Sequence, residues 1–147
     1  MTKNRRRNQR RAWMAVILWM ILIFAFSAQP GNQSSGLSTG VTEIFLKFIQ
    51  ELVPYLELEL GVFHYLIRKA AHFTIYLILG ILVMNALRQS GVEGRKAILR
   101  GLLICILYAI SDEVHQLFVP GRAGQVGDVL IDSAGALVGV LIKKGRG

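Results

Sequence analysis

Apolar and polar positions fall along this chain in long blocks. After MTKNRRRNQRR, Ala12 to Phe26 is continuously apolar, and Ser27 and Ala28 extend the run. Pro30-Gly31 and the Ser/Gly/Asn cluster behind them mark a turn and a loop. From Val41, the apolar residues Ile44, Phe45, Phe48, Leu52 and Val53 recur at helical spacing, with Glu43, Lys47 and Glu51 between them. LELEL then alternates, but a single strand would have no sheet partner. Residues 41–66 are therefore expected to form an amphipathic helical segment on a membrane surface, kinked or ended by Pro54. Three further apolar runs follow, near 68–87, 98–118 and 125–142. The pattern predicts an all-α chain with four membrane spans, near 11–28, 68–87, 98–118 and 125–142, in one domain over 1–147.

Composition supports that class. The chain is 53% hydrophobic over 147 residues, too apolar for an ordinary soluble domain. A cleaved signal peptide fits the first run less well than a span. Ala25-Phe26-Ser27 is a weak cleavage match, and the later runs need a membrane in any case. The formal charge of +8 does not predict a nucleic-acid partner, because Lys and Arg flank the apolar runs instead of covering one face. Their placement predicts topology. With four spans and a cytoplasmic N-terminus, thirteen of the seventeen basic residues lie inside, and eight of the nine acids lie outside. Both termini are thus expected in the cytoplasm, on a multi-pass membrane protein.

The charges that interrupt the apolar runs carry the candidate chemistry. Counted along a helix from Arg100, Asp112 lies roughly 18 Å deep; Asp132, counted back from Lys143, lies roughly 16 Å deep. His115 and Asp128 come out near roughly 22 Å, and His72, counted from Arg88, near roughly 24 Å. In a hydrocarbon layer about 30 Å thick, all of them fall in the outer half. They also share faces. Arg68, His72, Tyr76 and Gly80 recur every four residues; Gly101, Cys105, Tyr108, Asp112 and His115 alternate fours and threes; so do Asp128, Asp132, Gly135 and Gly139. Small residues toward the cytoplasm let helices approach closely. The polar continuations are expected to face one another as an outward-opening pocket.

Ionisable groups at that depth raise a functional hypothesis by default. Asp112 is one turn from His115 and would orient it for proton transfer, with His72 as a second imidazole. Asp128 and Asp132, at i and i+4, would share a proton or hold a cation, and Arg68 and Arg122 would hold an anion. The competing expectation is that Arg68, Lys69 and Arg122 pair with Asp112, Glu113, Asp128 and Asp132 and only hold the bundle together. Lys69 reads as an interfacial residue reaching for the head groups. The single Cys105 has no second thiol, and no metal site or cofactor is expected.

Three stretches carry a family resemblance. They are FSAQPG at the end of the first run, RKAAHFTIYLILGIL at Arg68–Leu82, and SDEVHQLFVPGRAGQVGDVLIDSAGALVG at Ser111–Gly139. Together they resemble the VanZ-like family of bacterial membrane proteins. The resemblance implies a polytopic cell-envelope protein of a family linked to resistance against glycopeptide antibiotics, chiefly teicoplanin. By matching positions, the family's motif residues are Gln29, Arg68, Lys69, His72, Tyr76, Asp112, Glu113, Gln116, Arg122, Asp128 and Asp132. Asp132 stands where many members have Asn, and Ala28 where a second Ser is common. The combined expectation is a pocket that binds a lipid-linked wall precursor, a phospholipid head group or a lipoglycopeptide. The alternatives are an intramembrane enzyme using His/Asp acid–base chemistry, or a proton-coupled transporter or flippase.

Overall fold

The computed structural model describes residues 3–30 and 60–145. Within them the chain is all-α, with four helices: α1 (Lys3–Ser27), α2 (Leu60–Gln89), α3 (Gly94–Gln116) and α4 (Val126–Gly145). α1 and α2 are long and apolar enough to cross a membrane.

The helices overrun the apolar blocks because local propensity sets their ends. α1 starts in the basic stretch, since Lys, Arg and Gln propagate a helix well. It stops at Ser27, three residues before a proline that cannot continue it. α2 starts at Leu60, because no Gly or Pro interrupts the chain from Val62 to Leu79. Leu60 to Leu66 are thus the first turns of α2 and not part of a separate interfacial segment. The rest of that expected segment, 41–59, lies outside the described residues.

α2 closes in a Schellman turn, in which Val92 N–H donates to Leu87 O at 2.9 Å and Gly91 N–H to Arg88 O at 2.9 Å. Gly91 carries the required left-handed backbone, φ +81°. α3 ends at Gln116, two residues short of the expected 118, as the chain turns through Leu117–Val119 into Pro120-Gly121.

α2 is central and packs most extensively on α4, with α1 and α3 against its other sides. The small residues explain the α2–α4 contact. A β-carbon on Gly80, Gly135 or Gly139 would overlap the backbone of Ala136, Phe73 or Leu77 across the interface. Below the polar level the core is apolar, built from Val16, Leu79, Val83, Cys105 and Ala109 among others. Several long-range hydrogen bonds tie α1 to the rest of the bundle, three of them from aromatic side chains. Trp19 Nε1 donates to Ile75 O at 2.9 Å, Trp13 Nε1 to Ser90 Oγ at 3.0 Å, and Tyr108 OH to Met20 O at 2.5 Å. The tryptophans are therefore helix-to-helix ties here, beyond any role at an interface.

Polarity is inverted relative to a water-soluble fold. Twenty-three large hydrophobic side chains are exposed among the described residues, including the Leu99–Leu103–Leu107–Ile110–Val114 stripe of α3. Ser27, His72, Asp112, Glu113, Gln116, Asp128 and Asp132 are buried. Water disfavours that exchange, and a hydrocarbon surround favours it.

Candidate functional site

The buried polar residues gather at one end of the bundle: the C-terminal ends of α1 and α3, the N-terminal end of α4 and the first half of α2. Helical spacing puts Lys69, His72 and Tyr76 on one face of α2, Asp112, Glu113 and Gln116 on one face of α3, and Asp128 and Asp132 on one face of α4.

Two basic side chains of α2 reach two acids of α4. His72 Nδ1 lies 3.2 Å from Asp132 Oδ1, a pair almost entirely removed from solvent. Lys69 Nζ pairs with Asp128 Oδ1 and is itself largely buried, at 14% side-chain exposure. The two aspartates therefore have separate basic partners. Lys69 was among the bases expected to pair with these acids, and it does so by turning inward instead of reaching for the head groups.

On α3, Gln116 bridges the carboxylates. Its Nε2 lies 3.3 Å from Glu113 Oε1 and 3.5 Å from Asp112 Oδ2. Glu113 Oε2 also accepts the Gln125 N–H at 2.8 Å, next to the start of α4, where unpaired amides and the helix dipole favour a carboxylate. Gly124 permits this crossing, since a β-carbon there would press on Glu113 O at 2.6 Å.

His115 is not oriented by Asp112. It is half-buried and stacks on Phe24 of α1, ring centroids 4.3 Å apart. The imidazole–carboxylate pair of the site is His72–Asp132 instead, because the His115 ring is taken up by Phe24 while α4 approaches α2 directly.

Arg122 also differs from the ion-pair expectation. Its Nε donates to Gln29 O and its Nη2 to Phe26 O, both at 3.1 Å. The guanidinium thus caps the exposed carbonyls at the C-terminal end of α1, where the helix dipole favours a cation. Burial pulls its pKa below the ordinary value, and the nearby Arg68 charge adds to that, opposed by Asp112 and Glu113. Gln29, half-buried, contributes its main-chain carbonyl to the same junction.

Several buried atoms at this level have no partner among the described residues: Ser27 Oγ, Tyr76 OH, Asp112 Oδ1, His115 Nε2, Gln116 Oε1 and Asp132 Oδ2. Buried polar atoms are normally satisfied, and here the unsatisfied set comes from all four helices. Ser27 was not singled out in the sequence; its burial follows from the packing of α1, not from spacing. Tyr76, with its ring 6.3 Å from that of Tyr108, forms the floor between site and apolar core.

No match to the chain is found among curated proteins or solved structures. The VanZ/LLP1 family model matches residues 12–144, which takes in all four helices and every residue of the buried polar cluster. The chain belongs to the VanZ/LLP1 family.

Proposed function

We propose that this is a four-span protein of a bacterial inner membrane that holds the charged head of an envelope amphiphile at the polar end of its bundle. The observation that carries the reading is the burial of seven polar residues behind an apolar exterior. α3 and α4, at 23 and 20 residues, are about 35 and 30 Å long, enough to cross the hydrocarbon layer beside α1 and α2. With both termini cytoplasmic, the cluster lies in the outer half of the membrane.

Arg68 and Arg122, both half-buried, are the guanidinium groups suited to an anionic head group. The carboxylates behind them suit an ammonium or a metal cation. A lipid-linked wall precursor, a phospholipid head group and a lipoglycopeptide each offer an anionic group on an apolar tail. Sequestering or presenting such a molecule would connect the site to teicoplanin resistance.

The test is lipid analysis of protein purified in mild detergent. Wild type should retain a phosphate- or carboxylate-bearing amphiphile that Arg68→Gln loses. Equal retention by both would remove the arginines from the function. The His72–Asp132 pair favours a second reading, acid–base catalysis on that amphiphile. A mass change in envelope lipids incubated with wild type, absent with His72→Gln, would select it.

A further inference from the structure

We propose that His72, Glu113 and Asp128 form a divalent transition-metal site, with Zn2+ the best-suited ion and Lys69 its internal competitor. The three residues come from α2, α3 and α4, and one ligand atom of each lies within 4.8 Å of the others. Zinc binds imidazole nitrogen and carboxylate oxygen at about 2.0–2.2 Å, so small side-chain rotations would draw the three atoms onto one ion.

The surroundings are those of a metal site. Asp132 engages His72 Nδ1 at 3.2 Å, which leaves Nε2 to bind. A metal-bound histidine almost always gives its other ring nitrogen to such a partner. Glu113 is fixed in the same way, by the Gln125 N–H at 2.8 Å and Gln116 Nε2 at 3.3 Å, with lone pairs to spare. Asp112, Glu113, Asp128 and Asp132 are all at least nine-tenths buried. Among the described residues, Lys69 and His72 are the only basic side chains paired with them. Three further oxygens, Asp112 Oδ1, Gln116 Oε1 and Asp132 Oδ2, are buried without a hydrogen-bond partner among the described residues. A cation would give such a concentration of buried carboxyls and acceptors the partner it lacks. One imidazole with two carboxylates selects zinc or manganese over the all-oxygen sites of calcium and magnesium.

Lys69 supplies part of that positive charge through Asp128. Its Nζ also lies 4.9 Å from the centre of the Tyr65 ring, which offers the ammonium an alternative berth. An arriving ion would take Asp128 and displace Lys69 toward Tyr65. The metal would also give an anionic head group a direct partner. This extends the proposed function, but the test reads metal alone, so its failure leaves amphiphile binding by the arginines standing.

The experiment is metal analysis and calorimetric titration of tag-free, detergent-purified protein with Zn2+, and with Co2+ as a spectroscopic probe. Wild type should bind one Zn2+ per chain. Glu113→Gln and His72→Gln should each weaken binding tenfold or more, and Lys69→Met should tighten it. Co2+ should give absorption bands of nitrogen–oxygen coordination that His72→Gln shifts. Lys69→Met keeps the ligand set intact and decides the matter if the ligand variants fail to fold. No Zn2+ on wild type, or wild-type affinity in both ligand variants, overturns the site; unchanged or weaker binding by Lys69→Met overturns the competition.

Discussion

His72 of α2 meets Asp132 of α4 at 3.2 Å within the protein interior, and the meeting depends on a glycine one turn away. Gly135 lets α4 lie directly against the backbone of Phe73, the residue after His72. Register, close approach and pairing are thus one arrangement. Asp132→Asn keeps an acceptor for the His72 ring and should leave thermal stability nearly unchanged. Asp132→Leu strands a buried imidazole and should cost about 1–3 kcal/mol. Thermal unfolding in detergent of the two variants checks this; equal losses would mean that shape, and not the hydrogen bond, holds the position.

Gly135→Ala and Gly139→Ala should be more damaging than their size suggests. The added methyl meets main-chain atoms of Phe73 or Leu77, which cannot rotate aside. Overpacking of this kind costs about 1–3 kcal/mol, and here it also pushes α4 off α2. Gly127→Ala is the control, since a β-carbon there meets nothing within 4 Å. Similar unfolding temperatures for all three would contradict the close α2–α4 contact.

Much of this arrangement was legible in the sequence, for identifiable reasons. Helical spacing put Arg68, His72, Tyr76 and Gly80 on one face; the last three are buried and Arg68 is half-buried. The same spacing put Asp128, Asp132, Gly135 and Gly139 on one buried face of α4. Periodicity states which residues share a face, not which face meets which. The pairing of His72 with Asp132 instead of His115 with Asp112 therefore emerged only from the packing. The competing expectation of a carboxylate partner for Arg122 failed because the end of α1 offered it two carbonyls. The close approach of His72, Glu113 and Asp128 had no sequence signature, since the three residues lie on three separate helices.

The Lys69–Asp128 pair should behave as a buried ion pair. With metal removed by chelator, Lys69→Met leaves Asp128 without its partner and should destabilise by about 3–5 kcal/mol. Adding Asp128→Asn to that variant should recover most of the loss, because the uncompensated charge is gone. The four proteins form a double-mutant cycle read by unfolding. Additive losses would show that the two side chains do not depend on each other.

The placement of the cluster in the outer half of the membrane rests on topology, which is separately testable. The basic residues near Arg5–Arg11, Arg88–Arg100 and Lys143–Arg146 predict that these three regions face the cytoplasm, while the turn at Pro120–Gly124 faces outward. Cys105 is buried, so replacing it with Ala gives a background for single cysteines at chosen sites. A cysteine at Asn8 or Ser90 should resist a membrane-impermeant maleimide in intact cells and react after permeabilisation. A cysteine at Ala123, which is exposed, should react in intact cells. The same side for Ser90 and Ala123 would leave α3 folded back instead of crossing, and would bring the charged cluster out of the outer half of the bilayer.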